Sequence, residues 1–555
     1  MSQSAEGARV RWLVAGAFTP APTGRRFPLT TDNFAEELAK AAKGLRVTVP
    51  DLLGGAEQRT FEVSFDKLRA FGAMELIAAV PELKKLQALT EGFMKADPSR
   101  PLTPEEGAGR VAEVVGAGRL SSAVSVALGG TPPQAPAAAP APASAPAASG
   151  GGDDLVGELL AKAEASSPSA TAKAGVDAFV RAMTPKGPGP APMNPNARRA
   201  VRDTIELALI NTARDILAAE PVARLEGAWR GLRVLLEQCP SASGIAVEVV
   251  DVEPAQVPEA LARAVEAEPF ERPDVCFVID ATDDVARLRQ LAAVGEESQV
   301  PVVVAVTPAL LGTTLAELPT ALDDDKRAIP EAWVELRKED SSRWLCPVLN
   351  RMVATAEKRG VLNRASFASP AFAVAAMLSA SFQATGSFAR ITGQPGSLRA
   401  PGTWEPPGGR DAGSAYPTET FLSIRAQTRL SELGILGVGS GRNTDMIILS
   451  VAPMACGNAH VMPLPAQLLT GRIVRFALWV RDQLPAGSSA EDLSTLFSQA
   501  AEVFLFGGMS ELGRLKADLV PGEGGNQLIQ VEAAVRPEQA GSQRFHLAFA
   551  LPLRR

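Results

Sequence analysis

The chain has 555 residues, 46% hydrophobic and 21% charged, with a formal net charge of −7. That length holds three or four domains with sizeable cores, and the acidic balance excludes a general nucleic-acid binder while leaving room for a local basic face. Cys239, Cys276, Cys346 and Cys456 lie too far apart for a zinc site or a disulfide scaffold, which fits a reducing cytoplasm.

No basic stretch followed by an apolar run opens the sequence, so no signal peptide is expected. The longest apolar stretch, around Ala371 to Phe382, is too short and too serine-punctuated to span a bilayer. A soluble, cytoplasmic protein is expected. Histidine is confined to His460 and His546, with no serine or cysteine nucleophile motif beside either, which removes the commonest general base.

In chain order, Arg9 to Phe18 (RVRWLVAGAF) alternates and then runs apolar, as a buried strand does. Arg26 to Leu29 leads to Thr30–Leu38 (TTDNFAEEL), where Thr31 or Asp32 is placed to N-cap a helix with acids in its first turn. Phe61, Val63 and Phe65 share one face of a half-buried strand, and helical patterns follow at Met74–Val80 and Leu83–Phe93. Gly129 to Gly152 is a Pro/Ala/Ser tract, without a charge between Arg119 and Asp153, that reads as a semi-extended tether. Beyond it, Leu155, Leu159 and Leu160 form a short apolar face. Spacing alone admits a small packing helix or a peptide laid into a partner's groove. A second flexible tract, Thr184 to Asn196, separates this segment from the remainder.

From Ala197 a long helix leads to Leu225–Leu232 (LEGAWRGL), where Leu225, Trp229, Leu232 and Leu236 recur at helical spacing. Strands at Ile245–Val252, Val275–Ala281 and Gln299–Val306 alternate with helices at Gln256–Val265 and Asp283–Val294, so an α/β layer with a parallel or mixed sheet is expected. Ser369 to Gly393 is a long small-residue helix, Gly393 to Tyr416 a Gly/Pro-rich loop, and Leu464 to Leu484 a helix carrying Arg472, Arg475 and Arg481. Leu528–Arg536 and Arg544–Leu553 close the chain as strands, the last with Phe545, Leu547, Phe549 and Leu551 on one face.

Three clusters invite a ligand. Gly437–Gly441 (GVGSG) lacks the spacing of a phosphate loop and reads as a tight turn. Asp280, Asp283 and Asp284 admit a metal, but a helix capped by Thr282 with acids at its positive end explains them more simply. Asp323–Asp325, beside Lys326 and Arg327, reads as a solvated face.

The wording of several segments resembles the type VI secretion contractile sheath. LEGAWRGL is similar to the opening helix of its large subunit, and so are VPVVVAVTPALLG, the segment Trp333–Met352, the helix ending in Ala389-Arg-Ile-Thr-Gly393, Tyr416–Arg425 with its Pro-Thr-Glu, and Leu430–Val438 with Asn443-Thr-Asp-Met446. The order strand, LTTDNFAEEL, FEVSFDKLRAF, VPELKKLQAL resembles the small subunit. The chain departs from the family at Met352-Val-Ala-Thr-Ala, where a Arg-Leu-Pro-Tyr-Gly run is usual, and at Ile279-Asp280-Ala281 in place of Gly-Asp-Tyr.

The resemblance implies a mixed-sheet α/β sheath subunit with small and large subunits fused by the linker, fixing their ratio at one to one. Residues 1–130 form the small-subunit-like region, 131–152 the linker, and 153–196 a recognition helix and flexible tract. Residues 197–392 form a large-subunit-like α/β domain, and 393–555 a C-terminal region with a tube-facing helix and terminal strands. It further implies a structural rather than enzymatic role: a helical homopolymer around an Hcp-like tube, assembled on baseplate proteins, with no cofactor, no metal and no membrane insertion. The short helix at Leu155–Leu160, followed by "AKAGVDAFV", is similar to the N-terminal helix and following segment that a ClpV-like AAA+ ATPase recognises, which carries that role onto Leu155, Leu159, Leu160 and Phe179. Arg472 and Arg475 are expected to face the inner tube, and Phe545, Leu547 and Phe549 to lie in an inter-subunit strand. The alternative from another class is an α/β enzyme or ligand-binding protein using the crevice at the sheet's carboxyl edge.

Overall fold

The computed structural model describes residues 10–95, 103–131 and 195–553, apart from 270, 325, 360–361, 407–412, 459–461, 485–488, 506–512, 522–526 and 542–544. Strands β1 (Val10–Gly16) and β2 (Arg26–Leu29) precede helix α1 (Phe34–Ala41). The hairpin β3 (Leu45–Pro50) and β4 (Gln58–Val63) is followed by α2 (Ala73–Ala79), α3 (Pro81–Lys95), α4 (Pro104–Val115) and α5 (Arg119–Ala127). Helices α6 (Pro195–Ala218) and α7 (Glu220–Glu237) lead to β5 (Ile245–Asp251), α8 (Val257–Ala264), β6 (Val275–Thr282), α9 (Val285–Ser298) and β7 (Val302–Val306). Then come α10 (Leu318–Asp323), α11 (Glu331–Leu336), β8 (Leu345–Leu349), the paired strands β9 (Met352–Arg359) and β10 (Leu362–Ala368), and α12 (Pro370–Thr385). After β11 (Leu398–Arg399), α13 (Ile424–Glu432), β12 (Leu436–Gly437), β13 (Gly439–Ser440) and β14 (Met446–Ile448), the chain ends in α14 (Leu464–Gln483), α15 (Ala490–Phe504), β15 (Gly513–Pro521), β16 (Gln527–Val535) and β17 (Leu547–Pro552).

These elements make two compact units, residues 1–42, 224–356 and 365–555 in one, and 43–223 and 357–364 in the other. The units cut across the segments set off by the linkers. β1, from the start of the chain, lies between β5 and β6 in the seven-stranded sheet β12-β8-β7-β6-β1-β5-β2. Its neighbours run parallel to it, and only β2 runs antiparallel against β5. A strand inside a parallel sheet is covered on both faces, which is why Val10 to Gly16 carries almost no polar side chain. Leu13, Ala15, Cys276, Val278, Val302 and Val304 share one core with Leu261 of α8 and Leu288 and Leu291 of α9. On the opposite face Trp12 meets Phe277 edge-on at 5.6 Å and donates its indole N–H to Ser379 of α12 at 2.9 Å. α12 is buried almost all round, as its mostly small and apolar composition allows.

The motif in α7 acquires a physical meaning here. Trp229 is fully buried, donates to the Phe18 carbonyl at 2.9 Å, and meets the rings of Phe18 and Phe34 edge-on. A Cβ on Gly227 would collide with the Phe367 carbonyl, and one on Gly231 with the ring of Phe372. The two glycines therefore let α7 approach neighbouring backbone and an aromatic ring, and the indole anchors the helix they bring in.

In the second unit β3 and β4 pair antiparallel, with Leu45, Val47, Phe61 and Val63 buried beneath them. Asp51, 1% exposed, accepts the N–H groups of Leu53 and Gly54 and lies 3.4 Å from Arg59. Arg364, from β10, donates to the Phe71 carbonyl at 3.4 Å and pairs with Glu357 at 3.5 Å.

Several local expectations are corrected. α1 is capped by Asn33, not Thr31 or Asp32, and the Asn33 side chain closes the preceding turn by accepting from Thr30 N–H. Asp284, not Thr282, caps α9, its carboxylate accepting from Ala286 and Arg287. In Tyr416–Arg425, Tyr416 and Thr418 form isolated bridges rather than a strand, and a helix capped by Ser423 begins at Ile424. Gly437–Gly441 is not a tight turn: two short strands, β12 and β13, lie there, and a Cβ on Gly439 would collide with the Gln427 side chain.

Candidate functional site

The C-terminal elements of the first unit build a small module of their own. α14 supplies Ile473, Phe476, Ala477 and Val480, and α15 supplies Leu493, Phe497 and Ala501, in both cases one helical stripe. They cover one face of the antiparallel sheet β15-β16-β17, meeting Leu515, Ala517, Ile529, Val531, Ala533 and Leu551. Phe545, Leu547 and Phe549 are partly buried against this same core. Their side chains are thus directed inward. Among the described residues β15 and β17 are the edge strands of the sheet, and the side chains that alternate outward on β17, Ala548, Ala550 and Pro552, are small.

Arg475 and Arg472 lie away from that stripe on α14. Arg475 is 3% exposed, donates to Asp274 at 2.8 Å, and reaches the Gln299 carbonyl with its other arm. Burial pushes its guanidinium below its ordinary range, with Asp274 opposing the shift. Arg472 lies 3.8 Å from the same carboxylate and over the ring of Phe388 at 5.5 Å. Arg272 adds a bond to the Ser298 carbonyl at 3.2 Å. The carbonyls of Ser298 and Gln299 belong to the C-terminal end of α9, where the macrodipole is negative and cations are favoured. Arg475, expected on a tube-facing surface, is therefore committed to the interior, and Arg472 is mostly enclosed beside it. Leu155, Leu159, Leu160 and Phe179 lie outside the described residues.

The carboxyl edge of the parallel sheet, where the ligand-binding alternative places its crevice, is taken up by the chain itself. Asp251 accepts from Phe18 N–H at 2.8 Å, Thr19 N–H at 3.1 Å and the Thr19 hydroxyl at 2.7 Å. Asp280 accepts from Ala17 N–H at 2.8 Å, and burial raises its carboxyl above the usual range. Both acids hold the loop after β1 in place. Among the described residues no group of three His, Cys, Asp or Glu side chains is set to hold a metal, and no helix is long and apolar enough to cross a membrane. A cavity of about 530 Å³, lined by Gln299, Trp344, Met462, Thr470, Leu547 and Phe549 among others, lies instead at the amino edge of β7 and β8, against the terminal module. Burial raises the Cys239 and Cys276 thiols to about 12, so neither is a nucleophile at neutral pH.

Sequence reasoning missed α15 and β15. Both had signals: Ser489 three residues before Asp492, followed by Leu493, Phe497 and Ala501, makes a capping box ahead of an apolar stripe, and Leu515, Ala517 and Leu519 alternate in β15. Asp274 had none, because its partner is 201 residues away.

Residues 276–454 match the family model described as VipB: EvpB/VC_A0108, tail sheath N-terminal domain. That stretch runs from β6 past β14 and holds most of the seven-stranded sheet. No curated protein sequence matches the chain. Among solved structures, a chain of the anti-feeding prophage baseplate is 12% identical over 56% of this chain and 78% of that one, with a TM-score of 0.35. The contracted helical sheath of the anti-feeding prophage gives 10% identity, 55% and 78% coverage and a TM-score of 0.35. The contracted sheath complex of the extracellular contractile injection system PVC gives 11%, 57%, 78% and 0.34.

Proposed function

We propose that the chain is a structural subunit of a contractile sheath, in which a small-subunit-like and a large-subunit-like portion are joined by the Pro/Ala tract. The observation that carries this reading is the tail-sheath domain at residues 276–454, which lends the enzyme alternative no support. The subunit polymerises around an Hcp-like tube on baseplate proteins and works mechanically, by rearranging packed interfaces between two arrangements. The open edge of β17 suits a strand-addition link to a neighbour, made through its backbone N–H and C=O groups with little steric hindrance from Ala548 and Ala550. A cytoplasmic location and recycling by a ClpV-like ATPase through Leu155, Leu159, Leu160 and Phe179 complete the reading.

Coexpression with an Hcp-like tube protein tests it. The full chain elutes in the void volume as polymer. Deleting residues 153–183 leaves the polymer intact but abolishes its disassembly by the ATPase with ATP. A small oligomer in the presence of tube protein contradicts the sheath reading, and undiminished disassembly of the deletion variant contradicts the recognition role.

A further inference from the structure

α14 is fixed to the parallel sheet through an unusual set of groups. Gly471 lies against the backbone of Gln299, where a Cβ would collide with the carbonyl. One turn on, Arg475 spans from that same carbonyl to Asp274. Neither acceptor is free to follow the helix. Gln299 is held in a left-handed conformation (φ 59°) at the end of α9. The Asp274 carboxylate accepts the Arg11 N–H at 2.9 Å, and its own N–H donates to the Arg11 carbonyl at 2.8 Å, which pins it to the start of β1. The other face of α14 is part of the core of the terminal module.

We propose that Gly471, Arg475, Asp274 and the Gln299 carbonyl form a two-position latch between the terminal module and the parallel sheet. A partial slide of α14 strips a buried guanidinium of both acceptors, which is strongly unfavourable. Intermediate positions are therefore excluded: the module stays seated, or moves far enough for Arg475 to reach water. Buried ionic groups are best attested in this role of fixing one register against others. The consequence for a polymer rests on the sheath reading, in which load arriving at the open edge of β17 passes through α14 to the body of the subunit. The latch itself is a property of one chain. A second tie, from the Ser387 hydroxyl to the Gln539 carbonyl at 2.9 Å, keeps the unlatched module attached.

Hydrogen exchange on the full-length chain tests the latch, using Gly471→Ala, which wedges the helix off the Gln299 carbonyl, and Arg475→Met, which removes the charge. In both, amides of α14, β15 and β16 should exchange at least roughly tenfold faster, while those of β5 and β7 keep their rates. Equal acceleration in β5 and β7 would show an ordinary core contact and overturn the proposal, as would unchanged exchange in the module. Should Arg475→Met fail to fold, Arg475→Lys, which keeps the charge but loses one arm, is read by the same criteria. In sheaths assembled with tube protein, Gly471→Ala lowers the urea concentration at which extended tubes convert. Failure of the wild-type chain to form tubes counts against the sheath reading, whereas unaltered exchange in the variants counts against the latch.

Discussion

Replacing Trp229 by alanine costs about 3–5 kcal/mol of stability, the range for truncating a large buried aromatic. The side chain is fully buried, so the substitution opens a cavity bounded by Phe18 and Phe34. It also deprives the Phe18 carbonyl of its indole donor. The flanking glycines work against collapse of the cavity, because α7 already lies as close to Phe367 and Phe372 as the backbone permits. In a thermal melt the loss lowers the unfolding midpoint by about 4–7 °C. Arg233→Ala on the same helix is the control. Its pair with Glu237 is at 3.0 Å with both side chains about half exposed, and such pairs contribute about 0–1 kcal/mol. A Trp229→Ala variant that melts like the control contradicts the anchoring role assigned to the motif.

The second large effect is electrostatic. Asp274→Leu removes the carboxylate paired with Arg475 and leaves a guanidinium that is 3% exposed with the Gln299 carbonyl as its remaining acceptor among the described residues. Breaking a buried pair in this way costs about 3–5 kcal/mol. Replacing both partners, as Asp274→Leu with Arg475→Met, restores part of the loss, since an apolar pair pays no desolvation penalty, while Arg472 and the Arg11 N–H still lose the carboxylate. Urea denaturation of the two single variants and the double variant measures the cycle. Additive losses would mean that the two groups do not act on each other.

Much of the first unit was legible because its strands obey a strong rule. Val275–Ile279 and Val302–Val306 are continuous apolar runs rich in β-branched residues, as strands covered on both faces are. The position of β1 was not legible. Its sequence identifies a buried strand, but strand order depends on contacts over more than 200 residues, such as Val10 beside Ile245. α4 was missed because Gly107 and Gly109 dilute its helical pattern, although Thr103 and Glu106 form a capping box that announces its start. Glycine misled once. At Gly437–Gly441 it suggested a turn where it serves close packing on Gln427.

The helix Leu464–Gln483 was found within a residue at its C-terminal end, and its arginines were noticed, but their direction was not recoverable. Periodicity separates an apolar stripe from a polar one and leaves open whether the polar stripe meets water or a buried acid. Here one stripe packs in the terminal core and Arg475 meets Asp274. The same limit applies to β17. Alternation places Phe545, Leu547, Phe549 and Leu551 on one face, and only the neighbouring core shows that this face turns inward. A strand link to a neighbour then has to use the outer backbone edge.

Negative-stain electron microscopy of the purified full-length chain, assembled with an Hcp-like tube protein, tests the central claim most directly. A contractile-sheath subunit gives hollow tubes with a helical surface pattern. Uniform small particles under the same conditions would contradict the account.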